Sequence, residues 1–242
     1  MSLKIGILGF GGRMGQLLVQ ETLIHPACRL TALYWRQHKA EMALPADCLV
    51  SQDLDAVIAA SDVLIEFTTP EAAAVFASHV ARQNKRLVTG TTGLNLEQQA
   101  TIVAASGQTA VLQAPNTSVS LAVAKQLSTL AAKLLAGHGY DLGINDLHHR
   151  HKKDSPSGTA KALGAALQSG NPKAEIHYAA QRLGNIVGEH EVLLAGDGEM
   201  LTIRHSVTNR AIFARGALTA ALWLRDKPAG LYGMNEVLGL SA

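Results

Sequence analysis

A chain of 242 residues suits one large domain or two small ones, and either can bury a full core. With 48% hydrophobic and 17% charged residues it is not a disordered chain, and a formal charge of +2 gives no general attraction to nucleic acid or a membrane surface. Aromatics amount to only 4% and are not interleaved with the basic residues, which also argues against a nucleic-acid-binding face. Cys28 and Cys48 match neither a CxxC redox pair nor a zinc half-site and read as reduced thiols. The run from Met1 through Lys4 into a glycine loop holds no apolar signal region, and no stretch reaches membrane-spanning length, so a cytoplasmic location is expected.

Residues 3–8, Leu-Lys-Ile-Gly-Ile-Leu, read as a short apolar strand. Gly9, Phe10, Gly11, Gly12, Arg13, Met14 and Gly15 follow, and then Met14, Leu17, Leu18 and Leu23 recur at helical spacing. Strand, glycine turn and helix in succession is the setting in which bare backbone N–H groups cradle a pyrophosphate. The spacing is not the usual G-x-G-x-x-G: Gly9, Gly12 and Gly15 lie three apart, and Met14 stands where the last glycine would fall. The next strand, Arg29–Tyr34, ends in Tyr34-Trp35-Arg36-Gln37-His38-Lys39, with no acid before Glu41 to hold a ribose 2′-hydroxyl. An aromatic plane followed by Arg36 suits an adenine ribose carrying a 2′-phosphate, and the preference leans to NADPH over NADH.

Strand-like and helix-like segments then alternate. A short helical stretch covers residues 53–60, followed by strand Asp62–Phe67, helix Pro70–Gln83, strand Arg86–Thr89, helix Asn95–Ser106 and strand Thr109–Gln113. That order implies an α/β, doubly wound, mostly parallel sheet of Rossmann type. After its strands come Thr68-Thr69-Pro70, then Gly90, Thr91, Thr92 and Gly93, then Ala114, Pro115, Asn116, Thr117 and Ser118. These small, hydroxylic or amide-bearing residues suit ligand contact at the carboxyl ends of strands.

Ser118–Ala136 is an amphipathic helix pattern on Leu121, Leu127, Leu130, Leu134 and Leu135. Tyr140–His148 has strand character, Thr159–Gln168 helix character, and Ile176–Tyr178, Glu191–Ala195 and Glu199–Val207 strand character again, with a Gly196-Asp197-Gly198 hairpin turn between the last two. Ala211–Leu224 is a final helix. The second half therefore reads as α+β with a mixed sheet.

One stretch is charged beyond its surroundings: His148-His149-Arg150-His151-Lys152-Lys153-Asp154-Ser155-Pro156-Ser157-Gly158-Thr159. It ends as a helix start, with Pro156 in the first turn and small polar residues for the free N–H groups. Proton donors beside an anion-binding helix end point to chemistry on a carboxylated small molecule.

The glycine loop Gly9–Gly15, Gly90-Thr91-Thr92-Gly93, Ala114-Pro115-Asn116, the stretch His148–Thr159, Val187-Gly188-Glu189-His190, and the tail motifs Gly230-Leu231-Tyr232 and Val237-Leu238-Gly239-Leu240 stand in the order and spacing of the bacterial 4-hydroxy-tetrahydrodipicolinate (dihydrodipicolinate) reductases, which the chain resembles along its whole length. The resemblance implies an NAD(P)H-dependent reduction in the diaminopimelate route to lysine, giving tetrahydrodipicolinate, in a cytoplasmic homotetramer. It also implies a dinucleotide-binding domain of residues 1–118 completed by 209–242, and a substrate-binding and oligomerisation domain of residues 119–208. Carried over, His148 and Lys152 match the catalytic residues, Lys152 as proton donor. His149, Ser157, Gly158 and Thr159 match the substrate contacts. Gly9 to Met14, Gly90 to Thr92 and Ala114 to Thr117 match cofactor contacts.

The chain departs from the family at Tyr34 and Trp35, where an acid and a basic residue are common, and at Thr117 and Ser120, which replace a phenylalanine and a glycine. Residues 178–186 form a shorter segment than usual, without an Arg-Glu-Gly loop. Three other readings stand beside this one: a related imine reductase, an NADP(H)-sensing regulator without catalysis, and a zinc enzyme using His148-x-x-His151 or His149-x-His151. The last lacks a completing carboxylate or cysteine and has cationic neighbours, so no metal is expected.

Overall fold

The computed structural model describes residues 2–36 and 42–240, and the chain divides into two compact units. The first is built from the residues up to Thr117 together with those from Ala211 onward; the second is Ser118–Arg210.

In the first unit, strands β1 (Leu3–Leu8), β2 (Cys28–Tyr34), β3 (Leu49–Ser51), β4 (Val63–Glu66), β5 (Arg86–Thr89), β6 (Ala110–Gln113) and β11 (Gly230–Tyr232) form one sheet in the order β11-β6-β5-β4-β1-β2-β3, all neighbours parallel. The order reverses at β1, and at such a switch point doubly wound sheets bind ligands beyond their carboxyl ends. Helices α1 (Arg13–Ile24), α2 (Leu54–Ala59), α3 (Pro70–Arg82), α4 (Leu96–Ser106), α7 (Ala211–Leu224) and α8 (Met234–Val237) complete the unit. Central strands buried on both faces must be apolar almost throughout, and Val63, Leu64 and Ile65 are fully enclosed. Local chemistry starts the helices where the sequence places them: the Thr69 hydroxyl caps α3 ahead of Pro70, and Asn95 and Gln98 form a reciprocal capping box on α4. Helix α7 packs on α1 and the sheet through Ala214, Ala217, Leu218 and Ala221, which ties the end of the chain to its beginning.

In the second unit, β7 (Asp141–His148), β8 (Ile176–Arg182), β9 (Gly188–Gly196) and β10 (Glu199–Val207) form a mixed sheet in the order β10-β9-β7-β8, with β7 and β8 parallel. Strand β7 alternates strictly between inward and outward residues. Its inward Leu142 and Ile144 join Val192 and Leu194 of β9 in a core closed by α5 (Val119–Leu134) and α6 (Gly158–Gly170).

Several expectations need correction. The edge strands β3 and β11 have three residues each, too few for a periodic signal, and β8 and β9 are longer than the apolar residues marking them. Three leucines of the α5 stripe lie off its core face: Leu127, Leu130 and Leu134 are 49–65% exposed, while Leu135 packs partly against the core. The helix buries Leu121, Ala122, Ala124, Ser128 and Ala132 instead. It lies so close to α6 that a Cβ on Gly170 would fall 2.2 Å from the Thr129 carbonyl, a spacing only small residues allow. Leu23 likewise lies outward on α1. Pro156 is not in the first turn of α6; it precedes the cap, after a cis Ser155–Pro156 bond, because Ser157 itself takes the N-cap. Cys28 and Cys48 are unbonded thiols.

Candidate active site

In the first unit the glycine loop leaves β1 at Gly9, whose φ of 77° lies in the left-handed region open to glycine, and whose N–H bonds to the Tyr34 carbonyl at the end of β2. The chain then turns into α1, capped at Gly12 without a side-chain hydrogen bond and with no acid in its first turn. This positive helix end is therefore shaped for an anion. Gly15 takes the close-packing role that the irregular spacing left unassigned: a Cβ there would stand 2.5 Å from the Gly9 carbonyl oxygen and from Phe10 Cα. Phe10 is fully buried, whereas Gly11, Gly12, Arg13 and Met14 lie at or near the surface. Tyr34 packs edge-on against Phe76 with ring centroids 5.5 Å apart, Trp35 is half-buried and Arg36 is exposed. Gln37 to Glu41, the rest of that loop, lie outside the described residues.

The carboxyl ends of β4 and β5 are joined by a residue the sequence reading passed over. Glu66 is fully buried and accepts the Thr68 N–H at 3.0 Å, the Thr68 hydroxyl at 2.7 Å, the Thr91 hydroxyl at 2.8 Å and the Thr89 hydroxyl. Thr91 is thus tied inward beside Gly90, while Thr92 and Gly93 face outward. Gly90 has no room for a side chain, since a Cβ would overlap the Phe67 ring at 2.0 Å. At the end of β6, Ala114 is buried, Pro115 exposed and Asn116 half-buried. Thr117 is buried with its hydroxyl donated to the Phe213 carbonyl at 2.6 Å, which anchors it to α7.

The basic stretch belongs wholly to the second unit and is a strand end, a turn and a helix start. His148 closes β7; Lys152 N–H bonds back to the His149 carbonyl; Ser157 caps α6 by accepting the Ala160 N–H at 3.1 Å. Gly158 opens the helix, and a Cβ there would meet nothing within 4 Å. Thr159 follows, half-buried. Lys152 Nζ lies 2.8 Å from an Asp154 oxygen, so the loop is not the unrelieved cluster of positive charge its sequence suggests. The same pairing, together with the Gly158 N–H, holds the Asp154 carboxyl below its ordinary value. His149 Nε2 is 3.4 Å from an Arg210 nitrogen, and Arg150 and His151 are exposed.

Beneath this loop lies Asp146, fully buried. One oxygen accepts the Ser157 N–H at 2.7 Å and Arg182 Nη2 at 3.0 Å; the other accepts the Ser157 hydroxyl at 2.7 Å and has His148 Nδ1 at 2.9 Å and His190 Nε2 at 3.5 Å. Burial would raise its carboxyl, but the Ser157 and Arg182 hydrogen bonds and the His148 field together hold it below the ordinary value. Arg182 also donates to the Asp154 carbonyl at 2.6 Å, joining β8 to the loop. A carboxylate therefore stands beside His148, grouped with His190 rather than with the His151 that the sequence spacing offers. Residues 146 and 148 share one face of β7, and antiparallel pairing sets His190 opposite Asp146. Ligand atoms of Asp146, His148 and His190 fall within 4.8 Å of one another. Both Asp146 oxygens already take Ser157 donors and one faces a guanidinium, so the donor chemistry favours a buried ion-pair network over a cation site.

The fold and these two groups of residues define a class: an α/β dinucleotide-binding oxidoreductase with a separate α+β unit carrying a cluster of histidine, lysine and arginine side chains at a helix start. Family models for the dihydrodipicolinate reductase N-terminus and C-terminus match residues 3–117 and 120–238. A 4-hydroxy-tetrahydrodipicolinate reductase of Burkholderia lata is 37% identical over 265 aligned residues, covering 98% of this chain and 100% of the relative. One from Allorhizobium ampelinum is 36% identical, covering 99% of each. Among solved structures, a dipicolinate-bound dihydrodipicolinate reductase from Paenisporosarcina sp. TG-14 superposes with a TM-score of 0.83 at 23% identity, covering 98% of this chain and 99% of that one. The chain belongs to the dihydrodipicolinate reductase family.

Proposed function

We propose that this chain reduces 4-hydroxy-tetrahydrodipicolinate to tetrahydrodipicolinate with NADPH in preference to NADH, as a cytoplasmic homotetramer of the lysine pathway. The observation that carries the reading is the strand–loop–helix unit His148–Thr159, which sets the His148 imidazole and the start of α6 on one buried carboxylate, Asp146, with the Lys152 ammonium in the same loop paired to Asp154. The first unit is the dinucleotide domain: the uncapped start of α1 and the close approach enforced at Gly15 fit a pyrophosphate, with Gly9 to Met14, Gly90 to Thr92 and Ala114 to Thr117 around it. Of these, Phe10 and Thr117 are fully buried. Exposed Arg36 reaches a 2′-phosphate, with Tyr34 and Trp35 beside the adenine.

When bound, the nicotinamide supplies a hydride to the conjugated imine of the substrate. Ser157, Gly158 and Thr159 bind one substrate carboxylate at the start of α6, and His149 binds the other. Lys152 delivers from Nζ the proton that neutralises the electron density left on the ring, and His148 assists that transfer or orients the ring. The apolar stripe Val123, Leu127, Leu130 and Leu134 left exposed on α5 supports self-association of the second unit.

A coupled assay tests the reaction. The protein is given aspartate semialdehyde, pyruvate and the preceding synthase, and oxidation of NADPH and NADH is followed separately. Oxidation of neither sinks the reductase assignment; equal efficiency with both sinks the role of Arg36. Light scattering on the eluting protein checks the tetramer.

A further inference from the structure

We propose that Asp146 is the positioning residue of this site: one buried carboxylate fixes both the orientation of the His148 imidazole and the anion-binding start of α6. The proposal rests on the reductase reading for its functional consequence and on geometry for the rest.

Asp146 reaches both targets because it is one step of alternation from His148 on β7 and eleven residues from Ser157 across the loop. To Ser157 it binds twice, through the backbone N–H and the hydroxyl, each at 2.7 Å. That hydroxyl in turn accepts the Ala160 N–H, so the first turn of α6 hangs from the carboxylate through a single side chain. Toward His148 the relevant atom is Nδ1, 2.9 Å from the carboxylate oxygen. In the present ring orientation Nδ1 is out of line for a hydrogen bond, and among the described residues no other acceptor meets it. A buried N–H requires an acceptor, and Asp146 is the anion within reach. The imidazole is therefore held with Nδ1 protonated and Nε2 as its working atom. Gly188 keeps that second nitrogen accessible, since a Cβ there would stand 3.0 Å from Nε2. Arg182 balances the charge: its guanidinium contacts the Asp146 side chain and backbone carbonyl, and the Asp154 carbonyl beyond the catalytic turn. A carboxylate with a single partner would fix one element. Here it sets the proton-bearing ring and the carboxylate cradle in register, which is what a reaction on a carboxylated ring requires.

The test has a spectroscopic arm and a kinetic arm. In the full-length protein labelled with ¹⁵N-histidine, long-range ¹H–¹⁵N spectra at near-neutral pH report the His148 tautomer, with the resonance assigned by its loss in His148→Gln. The parent is expected to show Nδ1–H with Nε2 unprotonated. Asp146→Asn is expected to give a mixed or reversed tautomer, a kcat about 100-fold lower with a displaced pH profile, and an unchanged dinucleotide KM. If that variant fails to fold because Arg182 is left uncompensated, the double variant Asp146→Asn/Arg182→Gln carries the kinetic arm. An Nε2–H tautomer in the parent overturns the proposal, and so does a folded variant whose kcat stays within about two-fold of the parent. A parent that oxidises neither nicotinamide cofactor overturns the reductase reading instead, while the parent's tautomer still decides whether Asp146 orients the ring.

Discussion

Ser157 donates both its backbone N–H and its hydroxyl to the carboxylate of Asp146, each at 2.7 Å, while the same hydroxyl accepts the Ala160 N–H. A residue that reads as a simple helix cap is also a ligand to a buried charge. Ser157→Ala removes a cap, worth about 1 kcal/mol, and a hydrogen bond to a charged group, worth about 1.5–3 kcal/mol. The expected loss is about 2–4 kcal/mol of unfolding free energy, measured by urea titration, with a raised substrate KM. A change below about 0.5 kcal/mol would show that the hydroxyl contributes little.

Gly15 supports a prediction in the first unit. A Cβ there meets backbone rather than a flexible side chain, at 2.5 Å from the Gly9 oxygen, so the loop itself has to move. Gly15→Ala should destabilise the protein by about 1–3 kcal/mol and weaken dinucleotide binding about 10-fold or more, read by fluorescence titration. Unchanged affinity for both NADPH and NADH would mean that this loop does not cradle the pyrophosphate.

Those two sites show what was legible in the sequence. Runs of apolar residues, glycine turns and capping residues act over a few positions, so the alternating elements of the first unit and the presence of α6 could be read directly, though Pro156 falls before the cap rather than in the first turn. Asp146 could not. Within β7 it looks like one more polar residue, and its partners Arg182 and His190 arrive only when β8 and β9 pair with β7. Glu66 was hidden for the same reason, its three threonines being divided between two strand ends. The outward leucines of α5 mimic a core face in the sequence, because the closeness of α6, which selects for small side chains, leaves no local signal.

His190 makes stability depend on pH. Burial first, then the fields of His148, His205 and Lys152, push it down from 6.5 to about 4, against the opposing pull of Asp146. Below pH 6.5 the unfolded chain takes up a proton that the folded chain refuses. Stability should therefore fall as the pH drops from 6.5 towards 4, by on the order of 3 kcal/mol across that window, and His190 contributes nothing to the slope above it. Burial lowers His148 and His205 in the same direction, and the depressed Asp146 carboxyl adds a loss at lower pH still. Melting temperatures from neutral pH down to about pH 5 should decline in the parent and less steeply in His190→Gln. Identical slopes would remove His190 from the account.

The proposed preference for NADPH rests on Arg36. It is exposed at the end of β2, and a guanidinium–phosphate pair is a charge-assisted hydrogen bond worth about 1.5–3 kcal/mol. Arg36→Ala should raise the NADPH KM by about 10- to 100-fold and leave the NADH value within about two-fold. Equal effects on both cofactors in steady-state assays would assign Arg36 to general charge rather than to the 2′-phosphate.

Variants of Lys152 separate binding from proton delivery in the proposed reaction. The ammonium is held 2.8 Å from Asp154 at the rim of α6, where it can both attract a substrate carboxylate and release a proton. Lys152→Ala loses both roles, so substrate KM should rise while kcat falls by about 100- to 10,000-fold. Lys152→Arg keeps the positive charge but cannot give up a proton, so KM should stay near the parent value while kcat falls nearly as far. Dinucleotide affinity should be unaffected in both variants, because the residues assigned to it belong to the other unit. A Lys152→Arg enzyme with near-parental turnover would show that the lysine only binds, and the proton would then have to come from His148.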